Sequence, residues 1–333
     1  MPNLSKSQDI HFSQFEASPL TLNPALTGVM DLNYRVVNNY KNQWTSISTP
    51  YSTMAFGYDM NLLKDDGKGT YLGVGLSAFG NKAGKSELAS SQLNLSLSST
   101  TNLNDNNTFS VGLQGGYAQR SVNLSSLSWD NQFNGNNFDP TLPTREVAYG
   151  EKINFIDIST GGLWNFQNRD KLNISTGFAY FHANKPNQSF NNNVKDVLQP
   201  KLVLHNATEI KLPHSGSFPD RYFIPKILFM KQGAHQELFL GAFFKTVIQT
   251  ASRYTNWQNE VTFDLGAFYR KGDAIIAATS FDYGNIKIGI SYDINISKLR
   301  TASAYNGGIE YSLIYSGIFS TDKIKVRGLP RTK

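Results

Sequence analysis

Apolar and polar residues alternate one for one along this chain, in runs of about 10–12 residues. An ordinary strand averages about 5–6, whereas a strand tilted across a bilayer needs about 9–11. Val261, Phe263, Leu265, Ala267 and Tyr269 alternate with Thr262, Asp264, Gly266, Phe268 and Arg270. Ile286, Ile288, Ile290, Tyr292, Ile294 and Ile296 alternate with Lys287, Gly289, Ser291, Asp293, Asn295 and Ser297. The same dyad runs through 53–62, 93–98, 109–117 and 172–180. A period of two sends each set to its own face of a strand.

Alternation alone fits two architectures. A soluble sandwich turns its apolar face inward, while a membrane barrel turns it to lipid and keeps a polar, wet lumen. Strand length favours the barrel. So do the charged residues at alternating positions: Asp59, Asp264, Arg270, Asp282, Asp293 and Glu310. Aromatic residues at strand ends (Tyr40, Tyr51, Tyr71, Tyr117, Tyr180, Tyr222, Tyr283, Phe319) suit a girdle at the lipid interface.

The expected fold is all-β: a transmembrane antiparallel β-barrel of about 14 strands, within a range of about 12–16, with long loops on one side. The barrel covers 29–319, after a periplasmic or lumenal segment 1–28 and before a basic tail 320–333. Its strands fall at 31–40, 51–62, 70–79, 89–100, 107–120, 152–166, 171–182, 201–210, 222–230, 235–246, 260–270, 273–283, 286–297 and 306–319. Long polar connections fall at 121–151, 183–199, 211–221 and 250–259. Short and long turns should alternate along such a chain, and this assignment breaks step after 201–210.

Composition narrows the function. Charged residues are 17% of the chain, against roughly 25% in an average soluble domain. The longest apolar run, 238–244, is far short of the roughly 20 residues of a spanning helix. The absence of cysteine excludes disulfides, thiolate metal sites, a cysteine nucleophile and a lipoprotein anchor. The net charge of +6 is scattered, apart from Lys323, Lys325, Arg327, Arg331 and Lys333 in the tail, so no nucleic-acid partner is expected. The histidines (His11, His182, His205, His214, His235) lack metal-ligand spacing, Asp65-Asp66 reads as a solvated turn, and there is no nucleophile elbow or P-loop. The chain is therefore read as no enzyme, without cofactor or metal. Gly73, Gly75, Gly115 and Gly116 lie inside strand patterns and mark close backbone approach or curvature.

The chain opens with Gln8-Asp9, Phe12-Ser13-Gln14-Phe15 and Asn23-Pro24-Ala25-Leu26-Thr27-Gly28. In order follow Tyr40-Lys41-Asn42-Gln43-Trp44, Phe56-Gly57-Tyr58-Asp59, Leu72-Gly73-Val74-Gly75-Leu76, Asn81-Lys82-Ala83-Gly84, Trp129-Asp130-Asn131-Gln132-Phe133, Phe181-His182-Ala183-Asn184, Ile290-Ser291-Tyr292-Asp293 and Gly308-Ile309-Glu310-Tyr311. In this order and spacing, over nearly the whole length, the chain resembles the PorP/SprF family of type IX secretion system outer-membrane proteins. The ending Gly328-Leu329-Pro330-Arg331 departs from the Cys-Pro-Arg-Phe common in the family. Met1–Ser7 lacks the apolar core of a signal peptide, so the mature chain is expected to begin near Gln8.

The resemblance implies an outer-membrane barrel of the type IX secretion and gliding machinery. Its expected partners are a secreted adhesin's C-terminal domain or the periplasmic secretion-motor and peptidoglycan-linked proteins, in export or surface anchoring. Outer-membrane lipid surrounds it. Candidate contact residues are Trp129, Gln132, Phe133 and Phe138 in the long loop, with Trp44, Phe12 and Phe15, because aromatics in polar segments make good anchors. Rival readings are an outer-membrane channel or transporter for small or hydrophobic molecules, and a soluble all-β carbohydrate-binding or structural protein.

Overall fold

The computed structural model describes residues 9–43, 50–63, 69–84, 88–123, 129–139, 141–143, 152–168, 171–191, 194–213, 219–251, 259–298 and 300–319. The strands are β1 (Tyr34–Gln43), β2 (Tyr51–Leu62), β3 (Thr70–Ala83), β4 (Leu88–Asn102), β5 (Asn107–Ser121), β6 (Lys152–Asn168), β7 (Leu172–Phe181), β8 (Lys201–Lys211), β9 (Arg221–Gln232), β10 (His235–Gln249), β11 (Val261–Arg270), β12 (Ala274–Tyr283), β13 (Ile286–Asn295) and β14 (Asn306–Gly317). Each pairs antiparallel with its neighbours in sequence, and β1 pairs with β14, Tyr34 opposite Gly317, closing a barrel without a sheet edge. Among the described residues no helix is long and apolar enough to cross a membrane.

The pleat carries the alternation to opposite faces with the membrane sense. Leu93, Leu95 and Leu97 are 52, 54 and 53% exposed, while Asn94, Ser96 and Ser98 between them are at most 6% exposed. Asp59, Asp264, Arg270, Asp293 and Glu310 are buried inside. A sandwich would reverse these positions. On the outer face Tyr34 gathers Tyr58, Tyr315 and Phe319, ring centroids 6.4, 6.1 and 5.6 Å away, at the rim where β1 begins. Tyr51, Tyr71 and Tyr222 do not join the girdle as the sequence suggested. They fall on the inner face, because their place in the dyad overrides their place at a strand end.

The interior is lopsided where a uniformly polar lumen was expected. Around β7–β12, Ala179, Phe181, Val203, Leu228, Phe239, Phe268 and Ile276 form an apolar cluster that takes in Phe15 and Leu22 from the N-terminal segment. The other staves carry Ser, Thr, Asn, Asp and Glu inward.

The strand order fixes which rim each connection occupies. The two longest, 122–151 and 182–200, share one rim, here the loop rim. β1 begins and β14 ends at the other, the chain-end rim, which also bears 212–220 and 250–260. The short-and-long rule therefore fails beyond β8, while the strand assignment holds: β9 and β10 turn tightly on the loop rim through Gly233, which has φ +57°. In outer-membrane barrels the longer loops face outward and the short turns face the periplasm.

Candidate functional site

Residues 9–33 run through the lumen from the loop rim to the chain-end rim, and the inner wall is built to hold them. At the loop rim His182, just past β7, meets Asp9 through Nε2 (2.5 Å) and Asp157 of β6 through Nδ1 (2.9 Å). Lys201 adds a 3.1 Å ion pair to Asp9, whose backbone N–H donates to Gln232. Burial opposes protonation of His182, but the flanking carboxylates outweigh it and hold the imidazole up at about 9. Burial likewise disfavours the Asp9 carboxylate, and Lys201 and His182 prevail, holding its pKa well below the usual carboxylate range.

Deeper in, the backbone N–H groups of Ser13 and Gln14 donate to the two oxygens of Glu310, at 2.7 and 2.9 Å. Ser13 Oγ donates to Asp293, which also pairs with Arg270. Lys41 Nζ lies 3.7 and 3.8 Å from Asp293 and Glu310 and donates to Ser13. Buried charges persist in proteins when paired and hydrogen-bonded, and here the arm completes the set.

The Asn23-Pro24-Ala25 stretch sits mid-lumen. Asn23 caps a short turn by accepting from the N–H of Ala25 (2.9 Å) and donates to the carbonyl of Gly162 (3.0 Å). Ser110 and Ser98 donate to the carbonyls of Ala25 and Thr27. Glycine makes the approach possible: a Cβ at Gly73 would stand 2.2 Å from the carbonyl oxygen of Thr27, and one at Gly112 would stand 2.4 Å from Pro24. At the chain-end rim the N–H of Gly28 donates to Asp59 (2.8 Å), which takes both Nε and Nη2 of Arg35 (3.0 and 2.7 Å).

The site residues read from sequence separate into two places. Phe12 and Phe15, proposed as partner contacts, are 5 and 6% exposed inside the barrel, and Phe15 packs edge-on against Phe239 at 5.4 Å. They anchor the arm and present no surface to a partner. Trp129, Gln132, Phe133 and Phe138 come together in one small unit on the loop rim. Gln132 is buried and accepts from the N–H of Trp129 (3.0 Å), while Phe133 and Phe138 pair across an isolated bridge and remain 56 and 50% exposed. Trp44 and the tail from residue 320 lie outside the described residues. The lumen charges Asp59, Asp293 and Glu310 were legible as inward-facing, but nothing in their spacing announced that they hold the chain's own N-terminal arm.

An apolar outer wall, polar and charged residues turned inward beside one apolar cluster, and a closed ladder define an outer-membrane β-barrel protein. The chain belongs to the PorP/SprF family of type IX secretion system membrane proteins, whose profile matches residues 4–315. Among solved structures it is similar to a mutant of the monoaromatic hydrocarbon channel TodX, with TM-score 0.50, 10% identity, and 90% of this chain and 94% of that one covered. It is also similar to the toluene transporter TbuX of Ralstonia pickettii, with TM-score 0.49, 11% identity, and 90% and 93% covered. A FadL homologue of Pseudomonas aeruginosa gives TM-score 0.49, 8% identity, and 88% and 92% covered. At such identities the likeness is one of fold. No curated protein matches the chain.

Proposed function

We propose that this barrel works in type IX secretion as a docking platform, binding a secreted adhesin's C-terminal domain or the periplasmic motor and peptidoglycan-linked proteins, in export or surface anchoring. The work is binding rather than bond chemistry. The observation that carries this reading is the arm: residues 9–28 fill the lumen and bond to Glu310, the Gly162 carbonyl and Asp59 on its wall, which leaves the rims as contact surface. The exposed Phe133–Phe138 pair on the loop rim favours the adhesin, since aromatic anchors in a polar setting dominate interface energy. The test is capture of partners by the native protein from detergent-solubilised membranes. Recovery of an adhesin that is lost with Phe133→Ala/Phe138→Ala supports the reading. Recovery of no adhesin and no secretion component, together with a steady open pore in planar bilayers, would replace it with the channel reading.

A further inference from the structure

The inner wall leaves one guanidinium alone. Among the described residues, Arg35, Lys41, Lys201, Lys226, Lys245, Arg270 and Lys287 turn inward, and each stands in an ion pair with a carboxylate. Arg120 also turns inward, at the loop-rim end of β5, opposite Ser90 of β4 and Ile153 of β6. It makes no ion pair and no hydrogen bond among the described residues. Its Nε is buried without a partner, and its two terminal nitrogens, also without one, are not closed off from water. Asp9 and Asp196 attract it only from beyond ion-pair distance, and Asp9 is already held by His182 and Lys201. Its Cζ lies 5.9 Å from the centre of the Phe155 ring, a contact that supplies no charged acceptor. A partly enclosed cation without an acceptor is costly, and the cost is relieved when an anion is brought to it.

The planar fork of arginine fits a carboxylate or a phosphate through two parallel N–H bonds. Lipid headgroups encircle the outer wall, whereas Arg120 lies on the inner one, so its anion comes from a molecule seated on the loop rim. Arg120 stands beside the start of the 122–151 connection, which carries the Phe133–Phe138 pair. Arginine and large aromatic side chains dominate binding energy at protein interfaces. Side chains supply carboxylates all along a docked segment, a chain terminus only at its end.

We infer that Arg120 receives the side-chain carboxylate of an Asp or Glu on the polypeptide docked at the loop rim. This deepens the docking reading, on which it rests for the identity of the partner.

The test uses the full chain in detergent micelles at low ionic strength, where charge pairing is least screened. Rhodamine-labelled hexaglutamate amide is titrated and read by fluorescence anisotropy. Saturable binding is expected, weakened about tenfold or more by Arg120→Gln and partly restored by Arg120→Lys, which keeps the charge and loses the fork. Lys152→Gln removes an exposed lysine at the same rim and should change nothing, which separates a site from general attraction to a basic chain. Each variant should keep its heat-modifiable gel mobility. Absent saturation, binding undiminished by Arg120→Gln, or an equal loss with Lys152→Gln would each overturn the site. So would displacement of the peptide by inorganic phosphate at matched charge, which assigns the guanidinium to a free anion. Equally tight binding of hexaglutamine with a free terminal carboxylate would assign it to a chain end instead.

Capture from detergent-solubilised membranes keeps the two readings apart. Adhesin lost with Arg120→Gln supports both. Adhesin retained by Arg120→Gln but lost with Phe133→Ala/Phe138→Ala overturns the Arg120 contact and leaves docking in place. No adhesin, with hexaglutamate binding still dependent on Arg120, keeps the carboxylate site and removes the docking reading.

Discussion

The imidazole of His182 bridges the carboxylates of Asp9 and Asp157, 2.5 Å from one and 2.9 Å from the other, although Asp9 lies 173 residues away in sequence. This bridge fastens the start of the arm to the loop rim, as Asp59 fastens its end to the other.

The bridge has a defined pH window. The folded-state pKa of His182 is raised from 6.5 to about 9, so its contribution is complete below 6.5 and is lost as pH rises through about 9. Asp9 is shifted the other way, so its contribution is present above the ordinary carboxylate value of 3.8 and is lost as pH falls below it. Hydrogen exchange at residues 9–12 should accelerate between pH 7 and 10, after correction for the intrinsic pH dependence. In His182→Gln it should already be fast at pH 7 and should show no further rise.

Asp59 carries the opposite fastening. Asp59→Ala leaves the N–H of Gly28 without its acceptor and Arg35 with only the Leu26 carbonyl, at a largely buried position. Removing one partner of a buried pair costs about 3–5 kcal/mol. The heat-modifiability midpoint should fall accordingly, whereas Asp105→Ala in an exposed turn should leave it unchanged.

Gly73→Ala tests whether the arm closes the lumen. The added methyl would stand 2.2 Å from the Thr27 carbonyl oxygen, and overpacking of this kind costs about 1–3 kcal/mol. The same methyl would stand 2.4 Å from Ser98 Oγ, a rotatable hydroxyl that itself holds the Thr27 carbonyl, so the arm should lose this hydrogen bond as well. Planar-bilayer conductance should be low for the native protein and rise in the variant, and deletion of residues 9–28 should raise it further.

The two rims should differ in access. The longer loops of outer-membrane barrels face outward, so a cysteine at the exposed Asn136 is expected to react with a membrane-impermeant maleimide on intact cells. A cysteine at Asp105, in the turn 103–106 of the chain-end rim, should react only after permeabilisation.

Much of the barrel was legible in the sequence because a dyad repeat is local: each residue's face follows from its neighbours' faces. The assigned start of β2 at Tyr51 and of β13 at Ile286 matches the structure, and most other boundaries fall within a few residues. The family motifs were equally legible. Their meaning was not, since Ser13, Asp293 and Glu310, or Gly28, Asp59 and Gly73, are remote in sequence and meet only across the lumen.

By itself the sequence determined that the strands are long, that one face of each is greasy, and that certain glycines and carboxylates recur at set intervals. Only the tertiary structure decided what fills the space they enclose. Closing the barrel brought buried charges and bare backbone together in a lumen where burial favours pairing, and the arm supplies partners to Glu310, Asp293, Asp157 through His182, and Asp59.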